Sequence, residues 1–281
     1  MKRSHPTAFR PFILMAAMAS LPALADDASA DKTAPDYTLT TNVYLTSDYY
    51  FRGITQTWHK PAIQGGVDFS HSSGLYAGIW GSNVSNNSYP GGSALEFDYY
   101  GGYNGKINDD WGYTVGGHGY LYPGANYNKA ATPGADQTFD SFEVNAGLSW
   151  KFISVKYSYF LTDWFGGNQN TFPGSYSGGS EHTSYLEANA AYEIAPSWTL
   201  NLHAAQTSVQ GRSAGGIDPG YRDYLIGMTK GFDGGWTAQL AYVKSTYKDS
   251  AFYKPTLSFA NSDTLSDPGN GRVILTVGRV F

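Results

Sequence analysis

Residues 37–51 have the sequence YTLTTNVYLTSDYYF, in which apolar and polar side chains alternate. The odd positions include Leu39, Val43 and Leu45, whereas the even positions include Thr40 and Asn42. Successive side chains of a β-strand point to opposite faces, so this period of two predicts a strand with one apolar and one polar face.

The same alternation returns along the rest of the chain and predicts twelve strands, with ten or fourteen as alternatives because boundaries read from a pattern are soft. A soluble β-sandwich would show this period too, so the connections have to distinguish the two classes. Short connections follow the even-numbered strands, at residues 71–74, 104–110, 151–152, 193–197 and 231–235. Long stretches rich in Gly, Ser, Asn and Pro follow the odd-numbered strands, at residues 52–60, 85–93, 123–138, 163–182, 210–220 and 247–271.

Strict alternation of short and long connections is typical of a transmembrane barrel, which has turns on its periplasmic side and loops outside. Four tryptophans support this class, because each lies beside a short connection and shares the parity of the apolar face: Trp111, Trp150, Trp198 and Trp236. Such residues form the aromatic girdle at a membrane interface. We therefore predict an all-β, transmembrane, up-and-down antiparallel β-barrel of twelve strands.

The two ends of the sequence fit export to an outer membrane. Residues 1–25 combine Lys2 and Arg3 with an apolar run and a small-residue end, which predicts a cleaved signal peptide. Residues 26–281 then form a single barrel domain. The last strand, RVILTVGRVF, ends on Phe281, an aromatic residue of the kind that the barrel assembly machinery recognises. Arg279 departs from this pattern, because it falls on the nominal lipid face.

Composition excludes several classes of site. The 281 residues contain no cysteine, so neither a disulfide nor a thiolate metal site is available. A net charge of −5 with scattered bases gives no basic patch for nucleic acid. The 34 glycines and 23 tyrosines favour strands and disfavour long helices. No phosphate-binding glycine loop is present, so no cofactor is expected.

Residues 47–84, SDYYFRGITQTWHKPAIQGGVDFSHSSGLYAGIWGSNV, resemble the opening segment of the TorF family of porins, proteobacterial outer-membrane proteins catalogued as conserved hypothetical. The matching pieces are Ser47-Asp48-Tyr49, Phe51-Arg52-Gly53, Gln56, Pro61-Ala62, Gln64-Gly65-Gly66, Gly74-Leu75-Tyr76, Gly78, Trp80 and Ser82-Asn83-Val84. Thr55 stands where the pattern has Ser. The resemblance implies the location and the architecture, and it implies no particular substrate.

The polar parity of each strand predicts which side chains line the pore. The candidates are Asp48, Arg52, Asp68, Trp80, Glu96, Asp98, His118, Tyr120, Glu143, Lys156, Glu187 and His203. Carboxylates, including Asp223, outnumber the bases, and carboxylate rings favour cations in a pore. Inward aromatic residues would narrow the lumen and could stack on sugars or nucleosides. The same charges could equally pair with one another inside the wall.

Arg52 has two interpretations. It could supply a constriction charge, or it could form a bidentate ion pair with Asp48, Asp68 or Asp98 that stabilises the barrel wall. Among the histidines, the sequence places His118 and His203 in the lumen and His59 and His182 in solvated loops. Aromatic loop residues, among them Trp58 and Tyr127, are typical of adaptable binding surfaces.

The predicted function is passive or weakly selective diffusion of small hydrophilic solutes across the outer membrane of a Gram-negative bacterium. The expected partners are outer-membrane lipid, the assembly machinery and these solutes. A non-conducting scaffold or adhesion barrel is one alternative, and a lipid-modifying enzyme is another. No enzyme is expected, because no His follows a recognisable arrangement with Ser and Asp. The loop around Asp263, Asp267 and Asn270 could hold Ca²⁺ loosely but lacks the EF-hand order, so no metal site is assigned.

Overall fold

The computed structural model describes residues 14–15, 18–19, 35–130, 134–173, 176–211, 218–249, 253 and 267–281. The predicted signal peptide, residues 1–25, lies outside these ranges apart from a short antiparallel pair, Leu14–Met15 with Met18–Ala19. Asp263 of the loop considered for Ca²⁺ also lies outside them.

Twelve antiparallel strands close into a barrel, as the alternation predicted. We number them in chain order as β1 Tyr37–Thr46, β2 Ala62–His71, β3 Leu75–Asn83, β4 Leu95–Lys106, β5 Trp111–Leu121, β6 Ser141–Trp150, β7 Ile153–Phe160, β8 Ser184–Ala195, β9 Trp198–Ser208, β10 Tyr221–Gly231, β11 Trp236–Tyr247 and β12 Arg272–Val280. Each strand pairs with its sequence neighbours, which is the up-and-down order.

The seam between β12 and β1 closes the barrel. Residues 276–280 pair with residues 42–46, and the hydroxyl of Thr276 donates a hydrogen bond of 3.0 Å to that of Thr46. The backbone N–H of Phe281 donates to the carbonyl of Thr41 at 2.8 Å, which extends the seam by one residue. No strand edge is left unpaired in the ring, and this closure removes the groups through which open sheets aggregate.

The outer face of the barrel is apolar. The large side chains on the predicted lipid parity are exposed, for example Leu45 at 60%, Ile63 at 59% and Val273 at 63%. Their neighbours of opposite parity, such as Thr46 and Ile274, are buried inside. The four predicted girdle tryptophans all point outward beside short connections. A surface of this kind is stable in lipid, where exposed apolar side chains meet hydrocarbon instead of water.

Short and long connections alternate strictly around the ring, so one end of the barrel carries only turns and the other only loops. The 3₁₀ turn Asp233–Gly235 lies at the short end, and Tyr127–Lys129 and Trp164–Gly166 lie in the long connections. Within the described ranges, no helix is long and apolar enough to cross a bilayer.

Arg279, which departs from the expected pattern of the last strand, has a specific place at the short end. Its guanidinium carbon lies 4.4 Å from the ring centre of Phe281 and 5.6 Å from that of Trp236. Its Nε donates a hydrogen bond of 2.9 Å to the carbonyl of Gly234. The cation is therefore held at the rim by two aromatic faces and a turn.

Candidate functional site

The first long connection, residues 47–61, folds into the barrel, and we call it the inner loop. Connections normally cover the surface, because buried backbone has to find hydrogen-bond partners. In the inner loop, however, Asp48, Thr55 and Thr57 are all 5% exposed or less. The loop therefore belongs to the interior of the barrel.

A tight hairpin forms the tip of the inner loop, with Tyr50–Phe51 paired to Ile54–Thr55. Its two turn residues, Arg52 and Gly53, have φ angles of +46° and +74°, which match a type I′ turn. A Cβ atom on Gly53 would overlap Ser245 Oγ and the side chain of Asp223, so only glycine fits against this wall.

Asp48 stabilises the base of the inner loop. One carboxylate oxygen accepts hydrogen bonds from the hydroxyls of Thr55 at 2.6 Å and Thr57 at 3.0 Å, and the other lies 2.9 Å from Nδ1 of His59. The prediction that His59 is a solvated loop residue is wrong, because its side chain is only 9% exposed. The inward path of the loop buries it.

Contacts from the inner loop reach the elements on both sides of its origin. Ser245 of β11 donates a hydrogen bond of 2.7 Å to the carbonyl of Gly53. The N–H of Thr55 donates to the carbonyl of Pro268, and the N–H of Ser85 donates to that of Gln56. These contacts attach the inner loop to the wall on either side of its origin.

Arg52 contacts the wall of the barrel opposite the origin of the inner loop. Its Nη2 lies 2.8 Å from both carboxylate oxygens of Glu143 on β6, and the side chains are 7% and 3% exposed. The guanidinium also lies 4.1 Å from the ring centre of Tyr185. The predicted partners Asp48, Asp68 and Asp98 are wrong, because the hairpin directs Arg52 across the lumen to β6. Burial is the largest influence on the pKa of Arg52 and lowers it, but the charge and hydrogen bond of Glu143, together with Tyr120 and Tyr185, raise this pKa overall, so Arg52 is cationic.

Below the inner loop lies a cavity of about 1570 Å³, including space open to solvent, which we call the polar cavity. Ten of the twelve predicted pore residues line it: Arg52, Asp68, Trp80, Asp98, His118, Tyr120, Glu143, Lys156, Glu187 and His203. The other two do not. Asp48 is occupied in the base of the inner loop, and Glu96 is buried, accepting a hydrogen bond of 2.8 Å from the hydroxyl of Tyr122.

Ion pairs and hydrogen bonds between strands hold the walls of the polar cavity. Lys156 Nζ lies 2.9 Å from Glu187, directly opposite in register, and His118 Nε2 lies 2.9 Å from Asp98. His203 Nε2 lies 2.8 Å from a carboxylate oxygen of Asp223. Among the described residues that line this cavity, five carry carboxyl groups and two are permanent cations, Arg52 and Lys156.

A second cavity, of about 790 Å³ including open space, lies among the long connections, and we call it the aromatic cavity. Eleven of the seventeen described residues that line it are aromatic, and among them only Phe51, in the hairpin, also lines the polar cavity. Trp58 and Tyr127, which the sequence suggested as part of an adaptable binding surface, line this cavity and are 8% and 4% exposed. Burial raises the pKa of Tyr127, so its phenol stays neutral.

Tyr185 is a site residue that the sequence analysis missed. It stacks on Arg52, and its hydroxyl donates a hydrogen bond of 3.1 Å to Asp223. The alternation of faces along β8 identifies it, because Tyr185 lies two residues before Glu187 and therefore on the same inward face. In the part of the chain that is described, no group of three or more His, Asp or Glu side chains could hold a metal ion.

Solved structures with similar barrels include the KdgM porin, with 7% identity over 87% of this chain and 98% of that one at a TM-score of 0.46. The NanC porin has 10% identity, coverage of 86% and 98%, and a TM-score of 0.49. The COG4313 outer membrane channel from Pseudomonas putida F1 has 13% identity, coverage of 92% and 100%, and a TM-score of 0.48. Because the identities are 7–13% and the TM-scores lie below 0.5, the function has to be inferred from the residues of this chain.

The search of curated proteins found no match. A family model does match, over residues 29–281, and its description is "Bacterial protein of unknown function (Gcw_chp)". Since this match covers nearly the whole chain, the protein belongs to the Gcw_chp family.

Proposed function

We propose that this protein is an outer-membrane channel that passes small hydrophilic solutes by diffusion, with a preference for cations. The observation that carries the proposal is the polar cavity, which lies inside a closed twelve-stranded barrel and is lined by ionisable side chains. A barrel of this size leaves a lumen wider than the filled interior of eight strands. Water and small solutes can occupy such a polar space.

The proposed location in the outer membrane is supported by the exposed apolar face and by the outward tryptophans at the short end. The predicted signal peptide and Phe281 agree with export and with recognition by the assembly machinery. The resemblance of residues 47–84 to the TorF porins points in the same direction. Brominated lipids test the location, because bromine quenches nearby indoles. In bilayers we expect quenching of Trp111, Trp150, Trp198 and Trp236 but not of buried Trp58.

Cation preference is supported by the excess of carboxylates around the polar cavity. Asp68 contributes most directly. Its oxygens accept hydrogen bonds from the hydroxyl of Tyr100 and the amide of Asn42, so within the described ranges its charge is solvated by neutral groups and not paired with a cation. A negative potential in a low-dielectric lumen attracts cations and repels anions.

A non-conducting scaffold is the second candidate, and the inner loop favours it, because this loop crosses the barrel between the two cavities. Planar-bilayer recording separates the candidates. Discrete current steps from the purified barrel, together with swelling of liposomes in small sugars or amino acids, would support the channel. Heat-modifiable gel migration shows whether the barrel is folded. If a folded barrel gives neither current nor swelling, the scaffold is favoured.

A further inference from the structure

The aromatic cavity has the features of a binding site for a small organic molecule. It is concave and lined mainly by aromatic side chains, as such sites usually are. Its walls present both ring faces and ring edges. Tyr127 and Phe139 stack at 4.0 Å with an angle of 18° between their planes, whereas Phe172 meets Tyr127 edge-on at 5.4 Å and 78°. Planar aromatic guests pack well in such mixed surroundings.

Charge and hydrogen bonding narrow the class of ligand. None of the described residues lining the aromatic cavity is charged, so an ionised ligand would lose its hydration without gaining a partner. The polar groups in the lining are largely used internally: the hydroxyl of Thr55 donates to Asp48, and the hydroxyl of Tyr127 donates to the carbonyl of Phe165. A sugar, which needs several hydrogen bonds, is therefore a poor fit.

Two donors in the lining have no acceptor among the described residues. They are the indole Nε1 groups of Trp58 and Trp164. Only 8% of Trp58 is exposed, so water does not readily satisfy its indole N–H. A buried donor without an acceptor destabilises the fold. The nitrogen shows almost no surface in this structure, so an acceptor oxygen on a ligand would satisfy it after the indole rotates toward the cavity.

We propose that the aromatic cavity binds a small, neutral, planar aromatic molecule that carries one hydrogen-bond-accepting oxygen, with Trp58 as the donor. Phe51 then separates this binding site from the polar cavity beneath it, so the site lies at the entrance to the lumen on the side of the long connections. The proposal goes beyond conduction, since a barrel that passes no current could still bind the ligand.

Calorimetry on the folded full-length barrel in lipid nanodiscs tests this proposal, with empty nanodiscs as the blank for partitioning. The probes are acetophenone, which is planar and has one acceptor; ethylbenzene, which has a similar shape and no acceptor; benzoate, which is charged; and glucose. We expect saturable binding of acetophenone, binding of ethylbenzene that is about three- to tenfold weaker for the loss of one hydrogen bond, and no saturation with benzoate or glucose.

Variants then assign the binding to this cavity. Trp58→Phe keeps an aromatic ring but removes the N–H, so it should abolish the preference for acetophenone over ethylbenzene. Trp111→Phe, at the opposite end of the barrel and 41% exposed in the wild type, is the matched control and should change nothing. Ser88→Phe should fill the cavity and eliminate binding of both probes.

Because Ser88→Phe could disturb its own loop, Phe172→Ala provides an independent variant, which removes an edge contact and should weaken acetophenone binding at least severalfold. Heat-modifiable gel migration confirms that each variant is folded. The proposal is overturned if no probe saturates on the wild type, if glucose or benzoate binds as tightly as acetophenone, or if both cavity variants bind acetophenone like the wild type. Current recordings on the same preparation test conduction independently of ligand binding, so failure of one proposal can be distinguished from failure of the other.

Discussion

Arg52 and Glu143, 91 residues apart in the chain, form the ion pair that ties the inner loop across the barrel, with Nη2 of Arg52 2.8 Å from each carboxylate oxygen. The ring of Tyr185 covers the guanidinium at 4.1 Å. The tip of a loop from one wall is thereby fixed to the opposite wall, in the middle of the proposed path for solutes.

Arg52→Ala is expected to release the tip of the inner loop. The change leaves the Glu143 carboxylate buried without its cation, and breaking a buried pair in this way destabilises a protein by about 3–5 kcal/mol. Single-channel conductance should increase, and the urea midpoint of unfolding should fall. Arg222→Ala, which removes an arginine from the exposed outer face, is the control. Higher conductance with unchanged stability would show that Arg52 acts only as a constriction charge.

Gly53→Ala is expected to displace the hairpin by steric overlap with Ser245 and Asp223. Gly178→Ala is a matched control, because Gly178 also has a positive φ angle, +100°, but a Cβ atom there would meet none of the described residues within 4 Å. Both variants carry the backbone strain of about 1–2 kcal/mol for an L-residue in the left-handed region. Only Gly53→Ala should change the current steps in a planar bilayer. Equal conductance in the two variants would argue against docking of this hairpin in the conducting barrel.

Asp68→Asn is expected to reduce cation selectivity, because it removes a charge of the polar cavity that no described cation neutralises. Reversal potentials in a tenfold salt gradient should move toward zero relative to the wild type. Asp109→Asn, in a short turn at the end of the barrel and fully exposed, should leave the reversal potential unchanged. Anion preference in the wild type would contradict the proposal outright.

Arg279→Ala is expected to lower stability modestly. It removes the contact with the rings of Trp236 and Phe281 and the hydrogen bond to Gly234. Exposed cation–π contacts contribute roughly 0.5–1 kcal/mol each. Urea titration followed by tryptophan fluorescence measures the shift, and Arg279→Lys should recover part of the loss. If both variants unfold at the wild-type midpoint, the rim contacts contribute nothing to folding.

The sequence by itself determined the barrel. A period of two is a local property, so Leu39, Val43 and Leu45 fall on one face wherever the strand pairs. The alternation of connection lengths then specified the order of the strands and which end carries the loops. Cross-strand pairs such as Leu148 with Val155 also follow, since β6 and β7 are joined by a short turn and keep their register.

Only the tertiary structure decided where the inner loop goes. Nothing local in residues 47–61 distinguishes an extended outer loop from one that folds inward, because the stabilising contacts come from β6, β11 and other connections far along the chain. The partner of Arg52, the burial of His59 and the division into two cavities all depend on that path. Strand faces are set by backbone geometry at each residue, whereas the docking of a loop depends on the summed packing of surfaces that meet only once the barrel has closed.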